Sequence, residues 1–344
     1  MKAFIKAISY YLPEEILTNQ QLLAEFPKWS VEKVATKIGI KERHISGTDQ
    51  TSGDMAELAA MKLFEEYRIS PNDIDFILLY TQSPDYFLPT TACILQDKLG
   101  ISTRSGAVDF NLGCSGYVYG LSIAKGLVFS GTAKNILLLT SETYSKRLHQ
   151  KDKSNRTIFG DGASATLIST DGFAEILNFS LGTDGGGAEN LIIKTGAFRN
   201  PNSKNDILFD DVGNPVSSDH LYMNGLEIFN FTLKNVPIFV EDTLKKNALS
   251  RDNISLFVFH QANKYMMNIL RKKMRIEEDR FFYYIEKVGN TVSSTIPIAL
   301  KEAQKENKFF GNILLAGFGV GYSWGGVVLN CNTQFANCKC NRRR

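Results

Sequence analysis

Short runs of apolar residues alternate along this chain with segments in which apolar residues recur at helical spacing. Four runs are mostly apolar and do not alternate, at residues 75–80, 135–139, 254–259 and 312–315. Such runs predict strands that are covered on both faces. Between them, positions such as Ala56, Ala59, Leu63 and Tyr67 have the spacing of an amphipathic helix. The alternation predicts an α/β architecture.

The order of these predicted elements repeats in the two halves of the chain. Aligning Gly113 with Gly289 places Cys114 opposite Asn290 and Thr81 opposite His260, with similar spacings in both halves. We infer an internal duplication that brings matching strand ends together, where α/β sheets usually carry their sites. The predicted halves are residues 1–171 and 172–331, followed by a basic tail at 332–344 that we expect to be disordered.

Composition excludes several classes of protein. The 344 residues are 43% hydrophobic and 22% charged, which suits a packed core, and the net charge is only +3. Much of that charge lies in the tail, so we expect no nucleic-acid binding. No apolar run is long enough to span a membrane, and the first residues do not resemble a signal peptide. Five unevenly spaced cysteines predict no disulfide framework, so we expect a cytoplasmic protein with free thiols and no membrane insertion.

Cys114 is the strongest candidate for a nucleophile. It follows Gly113 and precedes a predicted helix rich in small residues, including Gly116 and Gly120. A thiol at a helix N-terminus is expected to have a lowered pKa. An isolated cysteine is more often part of the core, but the preceding glycine, the helix and the repeat favour a nucleophile.

Two polar residues could assist Cys114. His260 ends an apolar strand, where the alternative is a histidine that only caps the strand. Asn290 follows Gly289, where the alternative is a turn asparagine, and only its place opposite Cys114 distinguishes it. A nucleophile, a base or donor and a second donor are the equipment for acyl transfer through a thioester. The glycines of residues 317–326 fit no dinucleotide motif and could present N–H groups to an oxyanion. The pair Cys338 and Cys340 is too weak to predict a metal site.

Taken together, these residues resemble the β-ketoacyl-acyl carrier protein synthase III family of the thiolase superfamily. The resemblance rests on motifs in the family's order, at residues 39–44, 81–84, 110–116, 159–163, 223–225, 260–263, 289–291 and 321–325. It implies a thiolase-like fold, which is a duplicated five-layered αβαβα arrangement, and a homodimer.

The resemblance also implies a reaction. Cys114 would take the acyl group from an acyl-CoA, and the backbone N–H groups of Cys114 and Gly321 would hold the oxyanion. His260 and Asn290 would then stabilise the enolate formed when malonyl-acyl carrier protein loses CO₂. The enolate would attack the acyl-Cys and release a β-ketoacyl product, without any metal or redox cofactor.

The substrate contacts that the family implies fall on three sets of positions. Those for CoA are Trp29, Lys37, Lys153 and Asn263. The lysines keep the charge of the family's arginines but lose the bidentate fork. Leu88 corresponds to a position that reaches the partner's acyl pocket. Those for docking of the carrier protein are Lys264, Arg271 and Lys272, for which the alternative is a solvated helix face.

Other functions remain open from the sequence. The first is a relative that passes the acyl group to an alcohol or amine in a secondary-metabolite or surface-sugar pathway, suggested by the altered CoA positions. A hydroxymethylglutaryl-CoA synthase is disfavoured because that branch uses a catalytic Glu, which residues 81–84 do not offer. A subunit that only binds acyl-CoA is disfavoured by the presence of Cys114, His260 and Asn290 together.

Overall fold

The computed structural model describes residues 1–26, 30–211 and 213–331, with the backbone alone at residues 32–34 and 37. Trp29 and the predicted tail therefore lie outside the described residues. The strands are β1 (Phe4–Tyr11), β2 (Glu15–Thr18), β3 (Glu42–Ile45), β4 (Phe76–Tyr80), β5 (Gly106–Phe110), β6 (Ile136–Glu142), β7 (Gly162–Ser169), β8 (Ala174–Thr183), β9 (Leu191–Ile192), β10 (Leu208–Phe209), β11 (Pro215–Val216), β12 (Tyr222–Met223), β13 (Ile254–Phe259), β14 (Asn312–Gly319) and β15 (Ser323–Asn330). The α-helices are α1 (Asn19–Ala24), α2 (Val31–Ile38), α3 (Ser52–Tyr67), α4 (Thr91–Lys98), α5 (Gly116–Phe129), α6 (Lys153–Arg156), α7 (Gly225–Lys246), α8 (Lys264–Lys273) and α9 (Thr295–Lys305).

Nine strands pair into one continuous sheet in the order β13-β14-β15-β8-β1-β7-β6-β4-β5. Its centre is the antiparallel pairing of β1 with β8, through Phe4 opposite Glu175 and Ile5 opposite Ala174. On either side of this centre the chain follows the same path. β4 runs parallel to β6, which is antiparallel to β7, just as β13 runs parallel to β14, which is antiparallel to β15. This symmetry agrees with the repeat inferred from the sequence, while the boundary near residue 171 stays a prediction.

The helices divide into three layers around the two halves of the sheet. Helices α3 and α4 cover the outer face of the first half, and α7 covers the outer face of the second, with α8 packed against it. Helices α5 and α9 lie between the halves, since α5 contacts β4, β6 and β7 on one side and β8, β14 and β15 on the other. The five-layered αβαβα arrangement is therefore confirmed.

Small residues allow α5 to occupy the middle layer. A side chain at Gly120 would lie 2.6 Å from Leu138 of β6, and one at Gly317 would lie 2.9 Å from the backbone of Ser115. The helix is thus pressed between both halves of the sheet, which fixes its N-terminus and the residue before it. Within the described part of the chain, no helix combines the length and the apolar composition needed to cross a bilayer.

Candidate active site

Cys114 lies in the turn between β5 and α5, two residues before the helix begins. It is only 6% exposed and belongs to an apolar cluster with five buried neighbours, which are Tyr144, Phe159, Leu191, Leu221 and Val292. The sulfur is therefore held in a largely water-free environment, where electrostatic interactions are strong.

The end of β14 packs directly against this thiol. A side chain at Gly319 would lie 2.8 Å from Cβ and 2.9 Å from Sγ of Cys114, so only a glycine leaves the sulfur its space. The next residue, Val320, directs its backbone N–H at the sulfur, as does Cys114 itself. The sequence-based expectation named Gly321 as the second donor to the oxyanion, and this stays a prediction; the N–H group beside the sulfur belongs to Val320, one residue earlier.

The pKa of the Cys114 thiol is raised to about 12, which is opposite to the shift expected from the helix N-terminus. Burial is the largest cause, and the carboxyl of Glu142 adds to it, while the N–H groups of Val320 and Cys114 lower the pKa. The helix provides donors, but the loss of water around the sulfur outweighs them. The resting nucleophile is thus a thiol, and it must lose its proton as it attacks.

His260 follows β13 directly and is almost completely buried. Its backbone N–H donates to Ala316, which holds it beside the end of β14, and its ring meets the ring of Phe318 edge-on at 5.7 Å between centroids. Nδ1 lies 2.7 Å from the hydroxyl of Thr295. Burial lowers the pKa of His260 to about 3, so the imidazole is neutral at ordinary pH.

Asn290 lies in the turn before α9, after Gly289, whose φ of 73° favours glycine. Its Oδ1 accepts from the N–H of Val292 at 2.9 Å, and its Nδ2 donates to the carbonyl of Ala262 at 3.5 Å. The latter contact places the amide beside the loop that follows His260.

Val292 connects the three predicted catalytic residues. Its N–H binds Asn290, and its carbonyl accepts from Thr295, which contacts His260. Its side chain belongs to the cluster around Cys114 and would lie 3.1 Å from a side chain at Gly113. The turns that carry Cys114, His260 and Asn290 therefore converge, as the repeat suggested.

A cavity of about 1030 Å³ opens beside this cluster. Val320 and three members of the Cys114 cluster, Tyr144, Leu191 and Leu221, line it. At its outer side lie Tyr86, Phe87 and Phe198, all exposed, and the rings of the two phenylalanines are 5.4 Å apart. Polar and apolar side chains both line this cavity, and its apolar part, beside the Cys114 cluster, is suited to an acyl chain.

Comparison with known proteins agrees with this geometry. Residues 108–185 match the family model described as 3-oxoacyl-[acyl-carrier-protein (ACP)] synthase III, and residues 244–331 match the model of its C-terminal part. A β-ketoacyl-[acyl-carrier-protein] synthase III from Oceanobacillus iheyensis is 35% identical over 332 residues, which cover 96% of this chain and 99% of the relative. The chain belongs to the β-ketoacyl-acyl carrier protein synthase III family.

Solved structures of synthase III proteins have the same fold. A 3-oxoacyl-(acyl-carrier-protein) synthase III structure at 2.1 Å is 49% identical, with a TM-score of 0.94 and coverage of 96% of this chain and 100% of the other. The synthase III from Aquifex aeolicus VF5 is 32% identical, with a TM-score of 0.83 and coverage of 95% and 99%. The predictions of the family, of the thiolase-like fold and of a condensing acyltransferase are confirmed, and transfer to an alcohol or amine is not favoured.

The synthase III resemblance also implied four CoA contacts. The structure describes some of these residues with their side chains, one as backbone only and one not at all. Trp29 lies outside the described residues, and Lys37 is described only as backbone within α2. Lys153 begins α6. The side chain of Asn263 accepts from the N–H of Met266 at 2.8 Å and so caps α8.

The predicted docking residues lie on α8. Lys264 and Lys272 are exposed. The side chain of Arg271 is only 12% exposed and binds Asn268, the carbonyl of Ile276 and the carboxylate of Glu278. Arg271 therefore stabilises the C-terminal end of α8 through internal contacts, whereas Lys264 and Lys272 are exposed at the surface. Leu88, by contrast, is 79% exposed in the loop beside the cavity.

Four residues at this site were not singled out from the sequence, namely Val320, Val292, Thr295 and Glu142. The first three act through backbone groups or a short hydroxyl, which leave no pattern in a sequence. Glu142 did offer a signal, because it is a carboxyl at the end of a strand that begins with four apolar residues and is buried throughout. The described residues contain no group of three or more His, Cys, Asp or Glu arranged to hold a metal ion.

Proposed function

We propose that this chain condenses an acyl-CoA primer with malonyl-acyl carrier protein through an acyl-Cys114 intermediate. The observation that carries the proposal is the position of the Cys114 sulfur, which faces the N–H groups of Val320 and Cys114 inside a cluster of which three other members line a cavity. Two fixed N–H donors at a nucleophile are the arrangement that stabilises the oxyanion of acyl transfer. We place the reaction in the cytoplasm, where thiols stay reduced.

In the first step, Sγ of Cys114 bonds to the carbonyl carbon of the acyl-CoA. The carbonyl oxygen becomes an oxyanion, and we assign the N–H groups of Cys114 and Val320, which lie beside the sulfur, to hold it, with Gly321 as the other candidate for the second donor. The bond to the CoA sulfur then breaks, and CoA leaves with the proton that the thiol gave up. Losing one such donor typically costs about a hundredfold in rate or more.

His260 is suited to carry that proton. In the arrangement that satisfies both hydrogen bonds of Thr295, its hydroxyl donates to Val292 and receives the Nδ1–H of His260. Nε2 then has a free lone pair, and the low pKa of His260 keeps the ring neutral at the start of the reaction. The proton moves from Cys114 to Nε2 and on to the CoA sulfur.

In the second step, malonyl-acyl carrier protein loses CO₂ and its thioester carbonyl becomes an enolate oxygen. A donor at Nε2 of His260 and the Nδ2 group of Asn290 stabilise this charge. Donation from Nε2 requires the other tautomer, in which the hydroxyl of Thr295 turns to donate to Nδ1. The enolate carbon bonds to the acyl carbon, the bond to Cys114 breaks, and the thiolate recovers a proton. Neither step needs an external oxidant, reductant or metal ion.

The substrates approach along surfaces that the resemblance suggests. We propose that Trp29, Lys37, Lys153 and Asn263 contact CoA, with Asn263 acting through the α8 terminus that it caps. Lys264 and Lys272 form the docking surface for the acidic carrier protein, and Arg271 is left out because it is engaged internally.

A homodimer completes the proposed site. β5 lies at one end of the sheet order, and the neighbouring loop exposes Tyr86, Phe87 and Leu88. An open strand edge next to exposed apolar side chains favours pairing with another chain. Leu88 would then reach the acyl pocket of the partner, and sedimentation analysis of the protein would show a dimer.

Intact-protein mass spectrometry tests the nucleophile. The protein is mixed with a series of acyl-CoAs, and the expected gain is one acyl group that is absent from Cys114→Ala and retained by Cys93→Ala, an exposed free cysteine. Malonyl-acyl carrier protein should then remove the acyl group with release of CO₂. An adduct that persists in Cys114→Ala, or an acyl-enzyme that malonyl-acyl carrier protein leaves unchanged, would refute the proposal.

A further inference from the structure

A further ionisable group, besides Cys114 and His260, lies inside the active site at the end of β6. Glu142 has no exposed surface, although its side chain is a carboxyl. Three neutral donors bind it: the N–H of Gln82 at 3.0 Å, the hydroxyl of Ser83 at 3.2 Å and the hydroxyl of Ser293 at 3.1 Å. A buried carboxyl without a cationic donor is costly to ionise, so its retention needs an explanation.

The donors to Glu142 come from both halves of the active site. Ser293 lies in the turn that begins at Asn290, and its hydroxyl binds Oε1. Gln82 and Ser83 bind Oε2 and belong to the loop behind Cys114. In that loop, Oε1 of Gln82 would lie 2.4 Å from a side chain at Gly113 and accepts from the hydroxyl of Tyr144. One carboxyl thus holds two segments in place, the Gln82–Ser83 loop that packs behind Cys114 and the turn that begins at Asn290.

Among the described residues, the titratable groups that act on Glu142 or respond to it are Asp161, Cys114 and Tyr144, and none of these three carries a positive charge. Burial raises the pKa of Glu142 to about 8, and the carboxyl of Asp161 adds a smaller contribution in the same direction. The thiol of Cys114 and the phenol of Tyr144 in turn have raised pKa values, partly because of Glu142. An ionised Glu142 therefore opposes the thiolate form of Cys114, whereas a neutral Glu142 does not.

We propose that Glu142 is a positioning residue whose protonation state sets how readily Cys114 becomes a thiolate. In its neutral form it holds the two turns together without adding negative charge near the sulfur. In its ionised form it holds the same geometry but repels the thiolate. The role concerns the nucleophile of the proposed function and rests on that assignment.

The pH dependence of Cys114 alkylation tests this coupling without any substrate. Iodoacetamide reacts with the thiolate, and peptide mass spectrometry measures the modification of Cys114 separately from the other cysteines. We expect Glu142→Gln and the unaltered protein to react at similar rates at about pH 6.5, and the variant to react about tenfold faster at about pH 9.5. A rate ratio that stays constant over this range would overturn the proposal, since a purely structural effect changes all rates alike.

Ser293→Ala supplies a second test that keeps the carboxyl. Removing this donor should raise the pKa of Glu142, so the pH at which the alkylation curve bends should move upward. An unchanged bend would contradict the coupling, even if Glu142→Gln failed to fold. Alkylation does not require acyl transfer, so failure of the protein to form an acyl-enzyme would refute the proposed function and leave this test valid.

Discussion

Nδ1 of His260 lies 2.7 Å from Oγ1 of Thr295, and that hydroxyl also lies 3.1 Å from the carbonyl of Val292. The hydroxyl has one hydrogen, so it can donate either to the carbonyl or to the imidazole. The first choice leaves Nε2 as an acceptor, and the second makes Nε2 a donor. Thr295 can therefore serve both the proton transfer and the enolate stabilisation that we propose for His260.

Thr295→Val is expected to lower kcat for condensation about ten- to a hundredfold, because a buried polar group left unpaired costs about 1–3 kcal/mol. The variant keeps the shape of the side chain, so acyl-CoA binding should change little. Steady-state kinetics with separate kcat and KM values would check this. Thr295→Ser retains the hydroxyl and should stay near full activity; equal rates in Val and Ser variants would show that the hydroxyl has no role.

His260 should make the fold sensitive to acid. The pKa of His260 is about 3 in the folded protein, below its ordinary value of about 6.5. Between these two pH values His260 is therefore protonated in the unfolded chain but not in the folded chain. The stability is complete above pH 6.5 and is lost as the pH falls towards 3, by about 2 kcal/mol between pH 7 and pH 5. Urea unfolding at pH 7 and pH 5 should show that the free energy of unfolding falls by about 2 kcal/mol less in His260→Asn than in the unaltered protein. An equal fall in both proteins would contradict the low pKa of His260.

Gly319→Ala should impair the nucleophile directly. The added methyl group would lie 2.8 Å from Cβ of Cys114, and such overpacking costs about 1–3 kcal/mol. We expect a lower melting temperature and slower formation of the acyl-enzyme by mass spectrometry. Gly185→Ala is the matched control, because a side chain there would meet nothing within 4 Å. Normal acylation of Gly319→Ala would show that the thiol has more room than the structure indicates.

Substitutions at Leu88 should change the primer rather than the stability. Leu88 is 79% exposed in one chain, so its replacement should alter the free energy of unfolding of the single chain by less than about 0.5 kcal/mol. If it enters the partner's pocket, Leu88→Trp should shift acylation to shorter acyl-CoAs and Leu88→Ala to longer ones. Phe129→Ala, also exposed, is the control and should keep the original preference. An unchanged primer series in both Leu88 variants would remove this residue from the acyl pocket.

Charge reversal on α8 should weaken the binding of malonyl-acyl carrier protein and should leave the acylation of Cys114 by acyl-CoA unchanged. Lys264→Glu and Lys272→Glu are each expected to raise KM for malonyl-acyl carrier protein about two- to fivefold at low salt, as single exposed charges do. The rate at which acyl-CoA acylates Cys114 serves as the internal reference, and this rate should be the same in Lys272→Glu as in the unaltered protein. Lys245→Glu, on α7, is the control. If all three variants have the same KM, docking occurs elsewhere.

The pattern of the sequence was sufficient for the architecture. The apolar runs at residues 135–139 and 254–259 became β6 and β13, and the repeated order became the symmetric strand order about β1 and β8. Buried strands and helices have periodicities that depend on local sequence alone, which is why this level could be predicted. The local pattern and the repeat also singled out Cys114, His260 and Asn290, and the family motifs then assigned them roles.

Contacts that join distant segments could not be predicted in this way. The sequence determined that a cysteine would precede α5, and it led us to expect a lowered thiol pKa. Only the tertiary structure decided that the thiol is buried beside Glu142, that the N–H group of Val320 faces it, and that Arg271 is engaged internally. A pKa depends on the water excluded and the charges gathered around a group, and these come from parts of the chain that are far apart in sequence.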